Sequence, residues 1–228
     1  MILAIDTATR QVGIALAIET EVLAEHNWRT ENNHTRELAP AVERVLRRAG
    51  VTAADLRAIG VAIGPGSFTG LRIGLGLAKG LAIANNCAVV GIPTLDIVAS
   101  AQPEFSGTLL AALQAGRGRI AIAEYAWEDT SWRAQAEVEI TTWEAVVAAL
   151  DEFVYVCGEI DKTGRSLLRG KAHFAPPSLN VRRASILAGL ARARLAAGAA
   201  DDTATLAPLY FHQPSATPPQ STREPQTA

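Results

Sequence analysis

The sequence has little cysteine, little net charge and no long apolar run. Its two cysteines, Cys87 and Cys157, are too few for a disulfide framework or a cysteine-ligated metal site. Each lies beside an apolar strand-like run, which is typical of a reduced core residue. The formal net charge of −2 excludes a strong overall attraction to nucleic acid or to an anionic membrane. Any contact with RNA therefore needs a local basic patch or a partner.

Patterns of a leader peptide, a membrane span and a metal site are missing as well. Residues 1–6 have no basic segment and end in an acid, Asp6, so the sequence predicts no signal peptide. No uninterrupted apolar run approaches the roughly 20 residues that span a bilayer. The four histidines have no partner at ligand spacing. We expect a cytoplasmic protein with no metal, no cofactor and no membrane contact.

What the sequence does have is the same order of predicted elements in both halves. The first half predicts strands at 1–6, 12–18 and 21–28, a helix at 35–49, a strand at 58–63, a helix at 69–85 and a strand at 88–92. The second half predicts strands at 108–113, 119–127 and 134–140, a helix at 142–150, a strand at 153–157 and a helix at 181–197. Three strands, a helix, a strand and a helix make a ribonuclease-H-like lobe. Two such lobes in tandem predict an α/β protein of the actin-like (ASKHA) fold, each lobe a mixed sheet flanked by helices.

The repeated order also predicts the domain boundaries. The 228 residues are enough for two small domains, each with its own core. We expect a partner-binding N-terminal lobe at 1–103 and a C-terminal lobe at 104–212, whose last helix is able to pack back on the first lobe. The segment 213–228 is rich in Pro, Ser, Thr and Gln and is predicted to be disordered, because it has too little apolar surface to offset its ordering entropy.

The helix at 69–85 is the most informative segment because it contains four glycines. Each glycine costs about 0.5–1 kcal/mol relative to alanine in a helix interior, and together they cost about 2–4 kcal/mol. They belong to two rows of small residues, which are Gly70, Gly74, Ala78 and Ala82 in one row and Gly76, Gly80 and Ala84 in the other. The helix is apolar nearly all round, which implies burial on more than one side.

Two interpretations of this helix stay open. Either both rows pack inside the monomer, or this helix and the helix at 35–49 expose an apolar face that a partner covers. The second interpretation predicts a partner interface made of residues from both helices. These residues are Leu38, Ala41, Val42, Val45, Gly70, Leu71, Gly74, Leu77, Ala78 and Leu81.

The glycine loop before this helix does not match a known phosphate loop. It follows a strand and precedes a helix, so its N–H groups could face an anion. A Walker loop ends in Gly-Lys-Ser/Thr, whereas this loop continues as Ser67, Phe68, Thr69. The dinucleotide pattern requires glycine at position 69, and a serine elbow requires glycine at positions 65 and 69. This sequence has no glycine at either position, so both patterns are excluded.

The end of the first strand resembles half of a nucleotide site. Asp6, Thr7 and Thr9 occupy the place of the acid and hydroxyls that hold metal-bound phosphate in actin-like ATPases. The corresponding segment of the second half, 114–117, has no carboxylate. One acid makes a poor magnesium–phosphate clamp. We therefore interpret Asp6, Thr7 and Thr9 as a vestigial nucleotide site, and we predict no catalytic residue.

Four segments closely resemble the TsaB (YeaZ) family. They are ILAIDTAT at 2–9, HTRELAP at 34–40, GPGSFTGLRIG at 64–74 and AKGL at 78–81. The glycine motif is highly specific. The resemblance is dense over the first hundred residues and thin after them.

The resemblance implies a bacterial, non-catalytic scaffold subunit for N6-threonylcarbamoylation of adenosine 37 in ANN-decoding tRNAs. It implies a TsaD-like catalytic subunit and a TsaE-like ATPase as partners, a homodimer through the same N-lobe helices, and only indirect contact with tRNA. The residues themselves leave two alternatives open. One is an active actin-like ATPase or a peptidase acting on its partner, suggested by Asp6, Thr7 and the glycine loop. The other is a fragment of a sugar-kinase-like fold.

Overall fold

A five-stranded mixed sheet forms the first lobe. The computed structural model describes residues 1–31 and 33–209, so the predicted disordered tail at 213–228 lies outside the described residues. The strands are β1 (Ile2–Asp6), β2 (Gln11–Ala17), β3 (Val22–Arg29), β4 (Ala58–Gly64) and β5 (Ala88–Pro93), in the order β3-β2-β1-β4-β5. The first three strands pair antiparallel, and β4 and β5 continue the sheet in parallel. This is the ribonuclease-H-like order that the sequence predicts.

The second sheet repeats this arrangement with one additional strand. Its strands are β6 (Leu109–Gly116), β7 (Arg119–Glu128), β8 (Ser131–Ala134), β9 (Glu139–Thr141), β10 (Val154–Gly158) and β11 (Ala172–Phe174). Five of them lie in the order β11-β10-β6-β7-β8, and β9 also pairs with β7. The single strand predicted at 134–140 is wrong. A tight turn with a positive φ at Asp129 starts β8 earlier, and the exposed residues 135–137 separate it from β9.

Six α-helices accompany the sheets in the described residues. They are α1 (His34–Arg48), α2 (Phe68–Asn85), α3 (Thr94–Ala99), α4 (Trp143–Ala149), α5 (Lys162–Leu167) and α6 (Ala184–Ala196). The predicted ends of α1 and α2 agree with the structure to within one residue. Both α5 and β11 are missing from the prediction because they are too short to show a period. Across the described ranges, no helix has the length and hydropathy needed to cross a membrane.

The two faces of the first sheet bury side chains of different size. On one face, larger residues such as Leu3 and Ile14 pack with α1 and α2. On the other face, small residues such as Ala4 pack with α6. At Gly60 the approach of α6 is so close that an added Cβ would lie within 3.0 Å of Leu187 Cδ2. The core of the first lobe is therefore completed by α6, the last helix of the described residues.

The cysteines differ in burial, and this difference can be tested by thiol labelling. Cys157 is fully buried in β10, whereas Cys87 is partly exposed. Burial raises the pKa of both thiols, and most strongly that of Cys157. We expect a Cys87→Ser variant to resist iodoacetamide at pH 8 until denaturant is added, and a Cys157→Ser variant to react slowly when native. Rapid labelling of the native Cys87→Ser variant would contradict the buried placement of Cys157.

Candidate functional site: the interlobe cleft and helix α2

The segment after β1 lies at the cleft between the two lobes. Asp6 ends the strand and is 1% exposed, and its Oδ1 accepts a hydrogen bond of 2.9 Å from the Ala8 amide. This local bond holds the chain in a tight turn. Thr9 then reaches the second lobe, because its Oγ1 donates to Glu159 Oε1 at 2.7 Å. Glu159 follows β10, so the end of a strand from each lobe lies here.

A buried arginine occupies the centre of this cleft. Arg182 is 1% exposed, and its Nε donates to Asp6 Oδ2 at 2.8 Å. Its Nη1 donates to Glu159 Oε1 at 3.0 Å, and its Nη2 donates to Thr9 Oγ1 and to the Gln11 carbonyl oxygen, both at 2.8 Å. Burial lowers the pKa of Arg182, but the carboxylates of Asp6 and Glu159 outweigh this effect and raise it above the ordinary value. The cleft therefore holds a permanent cation between two carboxylates.

The glycine loop and α2 press against the same segment from the other side. An added Cβ at Gly66 would lie well within 3.0 Å of the Ala8 carbonyl oxygen, and one at Gly70 equally close to the Thr7 carbonyl oxygen. At Gly74 the clash would be with Thr7 Oγ1, which donates to the Gly70 carbonyl oxygen at 2.8 Å. Glycines at every fourth position thus let α2 approach the backbone of residues 7–8. The first row of small residues packs inside the lobe.

The second row of small residues lies on the opposite, exposed face of α2. Within the described part of the chain, nothing beyond the adjacent residues and the helix's own nearby backbone lies within 4 Å of a Cβ added at Gly76 or Gly80. Two large apolar side chains share this exposed side of the helix, Phe68 at 55% exposure and Ile83 at 72%. The Arg72 guanidinium carbon lies 4.9 Å from the centroid of the Phe68 ring. Among the described residues, no contact outside the helix accounts for glycine at positions 76 and 80.

Comparison with known proteins connects the glycine-rich half of the chain to tRNA modification. Residues 28–152 match the sequence model of the family described as "TsaD: tRNA N6-adenosine threonylcarbamoyltransferase". The tRNA threonylcarbamoyladenosine biosynthesis protein TsaB of Escherichia coli (strain K12) is 39% identical over 126 residues, 54% of each chain. The protein of the same name from Bacillus subtilis (strain 168) is 37% identical over 128 residues, 56% of each chain. These matches span about half the length of each curated relative.

Other relatives match almost the whole chain. An uncharacterised protein of Mycobacterium tuberculosis is 33% identical over 223 residues, which are 95% of this chain and 94% of that protein. The structure of YeaZ from Pseudomonas aeruginosa superposes with a TM-score of 0.77 at 26% identity, over 92% of this chain and 99% of that one. This chain belongs to the TsaB (YeaZ) family. Its fold is the actin-like pair of ribonuclease-H-like lobes that the sequence predicts.

In this TsaB-family chain, most of the predicted interface residues lie in the core. The stripe of α1 faces the sheet, so these side chains are at most 5% exposed: Leu38, Ala41, Val42 and Val45. On α2 the buried positions are Gly70, Leu71, Gly74 and Ala78, and the partly exposed ones are Leu77 and Leu81. The eight buried residues are not available to a partner in this conformation. The interface itself stays a prediction.

The cleft of this TsaB-family chain contains two residues that sequence reasoning missed. The segment at 114–117 has no carboxylate, but Glu159 of the second lobe brings one into the cleft. Its Oε2 accepts the Gln114 amide at 3.3 Å. Arg182 is 176 positions away from Asp6, and neither Glu159 nor Arg182 belongs to a motif. Only the fact that Glu159 directly follows a buried strand could have indicated it. The interpretation of Asp6, Thr7 and Thr9 as a vestigial nucleotide site stays a prediction.

Proposed function

We propose that this chain is a non-catalytic scaffold subunit that binds a TsaD-like catalytic subunit, together with a TsaE-like ATPase, for N6-threonylcarbamoylation of adenosine 37 in ANN-decoding tRNAs. It acts in the bacterial cytoplasm and contacts tRNA only through its partners. The lobe at 1–103 binds the partner, and 104–212 is the second domain. The names of the TsaB relatives and the match to the TsaD family support this proposal.

The exposed face of α2 is the observation that carries the proposal. Gly76 and Gly80 each cost the helix about 0.5–1 kcal/mol relative to alanine. No contact among the described residues requires a glycine at either position. A second helix packed on this row would be stabilised in two ways. The small side chains let the two backbones approach closely, and the neighbouring Ile83 offers an apolar contact. A TsaD-like subunit supplies that helix, and a second copy of this chain uses the same surface in a homodimer.

A bulky residue at Gly80 tests this surface without disturbing the chain itself. We expect Gly80→Leu to weaken binding to the purified TsaD-like subunit at least about fivefold, because overpacking a close contact costs about 1–3 kcal/mol. The matched control is Gly189→Leu, since Gly189 is an exposed helical glycine on α6 that also has nothing described within 4 Å of an added Cβ. Calorimetric titration measures the affinity, and circular dichroism should show both variants folded.

The outcomes separate the scaffold from its alternatives. Equal affinity of Gly80→Leu, Gly189→Leu and the unaltered chain would contradict the proposed surface. If the free chain dimerises, sedimentation should show that Gly80→Leu shifts it to the monomer. The TsaE-like ATPase should join the complex only when the TsaD-like subunit is bound. ATP turnover by the purified chain alone, abolished in Asp6→Ala, would favour an active ATPase instead.

A further inference from the structure

A buried guanidinium contacts both lobes from a position that belongs to neither sheet. Arg182 lies in the connection that leads from β11 of the second lobe back to α6 on the first. Its side chain pairs with Asp6 of the first lobe and with Glu159 of the second. We infer that Arg182 is a built-in cation that locks the lobes together, in the place where two facing carboxylates would otherwise hold a bound cation.

The hydrogen bonds show that the site is made for a guanidinium. Each of the three side-chain nitrogens of Arg182 donates to at least one oxygen, and the acceptors come from both lobes. The planar fork of arginine supplies these separate directions, whereas a lysine ammonium is a compact point charge. The remaining oxygens are also bonded, since Asp6 Oδ1 accepts the Ala8 amide and Glu159 Oε2 accepts the Gln114 amide.

The same contacts replace the ligand that usually closes a two-lobed protein. Two-lobed folds commonly close by a hinge motion when a ligand bridges the lobes. Here the bridge is covalently part of the chain, and Thr9 strengthens it by donating directly to Glu159. Separating Arg182 from both Asp6 and Glu159 would leave buried charges without partners, which makes opening costly. The lock therefore keeps the cleft closed and filled, whatever partner binds at α2.

Chemical rescue by free guanidinium tests the lock. We expect Arg182→Ala to lower Tm by about 6–20 °C, because breaking a buried ion pair is strongly destabilising in a chain of this size. Millimolar guanidinium chloride, far below denaturing concentrations, should raise the Tm of this variant by several degrees by binding the vacated site. Sodium chloride at equal ionic strength should not do so. The control is the exposed neighbour, Arg183→Ala, whose Tm should respond to neither salt.

The rescue experiment overturns the inference if Arg182→Ala and Arg183→Ala have the same Tm, or if guanidinium raises both equally. A variant that keeps the fold provides a second test. Glu159→Gln removes one charge from the lock and preserves the shape of the side chain, and Glu137→Gln is its control on an exposed segment.

Hydrogen exchange in Glu159→Gln distinguishes a lock from a local contact. If the lobes are coupled, the Ala8 and Gln11 amides of the first lobe and the Gln114 amide of the second should all exchange about tenfold faster or more. A merely local role of Glu159 would accelerate only Gln114, whose amide it accepts, and Gln11, whose amide donates to the Thr9 oxygen bonded to Glu159. Unchanged exchange at Ala8 would therefore refute the lock. This outcome does not depend on whether Arg182→Ala folds.

Discussion

Gly70→Ala is expected to lower the free energy of unfolding by about 3 kcal/mol, whereas Gly80→Ala is expected to raise it by about 0.5–1 kcal/mol. The two glycines lie on the same helix, α2, but Gly70 is buried and Gly80 is exposed. At Gly70 an added methyl group would clash with the backbone oxygen of Thr7, which cannot rotate away. At Gly80 the methyl group enters open space among the described residues, so only the gain in helix propensity remains.

Urea unfolding of the two variants measures this difference directly. Both changes add one methyl group to the same helix, so each variant is the control for the other. We expect similar m values and midpoints shifted in opposite directions. Midpoints that move the same way would contradict the assignment of the rows to a buried and an exposed face. For the same reason Gly74→Leu tests folding and not pairing, since Thr7 is packed against Gly74.

Leu187→Ala should lower the free energy of unfolding by about 2–5 kcal/mol, which is typical of a large-to-small substitution in a core. Leu187 is fully buried on α6, and its Cδ2 packs over Gly60 of β4. The substitution would leave a cavity over Gly60. Because Gly60 has no side chain, the facing sheet has few side-chain atoms that could fill this cavity. The loss should therefore approach the upper part of this range.

The effect of Leu187→Ala should be seen in the first lobe, although Leu187 comes after the strands of the second lobe in the sequence. Hydrogen exchange at β1 and β4 is expected to accelerate, because α6 covers the face of the sheet that contains these strands. The control is Ile83→Ala, since Ile83 is a helical aliphatic residue at 72% exposure and its loss should change stability by less than about 0.5 kcal/mol. Unchanged protection of β1 in Leu187→Ala would show that the first lobe does not depend on α6.

The secondary structure could be predicted well wherever a period repeats. The stripe of α1 and the small rows of α2 recur every three to four residues, and both helices are found within one residue of their predicted ends. Prediction failed where an element is too short to show a period, as for β11, or where a turn sets the register, as at Asp129 before β8. A glycine row in the sequence indicates only that another element packs closely against the helix. It does not indicate whether that element is the protein's own sheet or another subunit.

The sequence by itself determined the order of elements, the two-lobed fold and the presence of two glycine rows, because these features depend on neighbours along the chain. Only the tertiary structure decided that Gly70 and Gly74 face Thr7, the residue after β1, while Gly76 and Gly80 face outward. It alone also brought Arg182 to Asp6, which precedes it by 176 positions. A contact over such a separation leaves no periodic trace, since its geometry is set by the packing of whole helices and sheets.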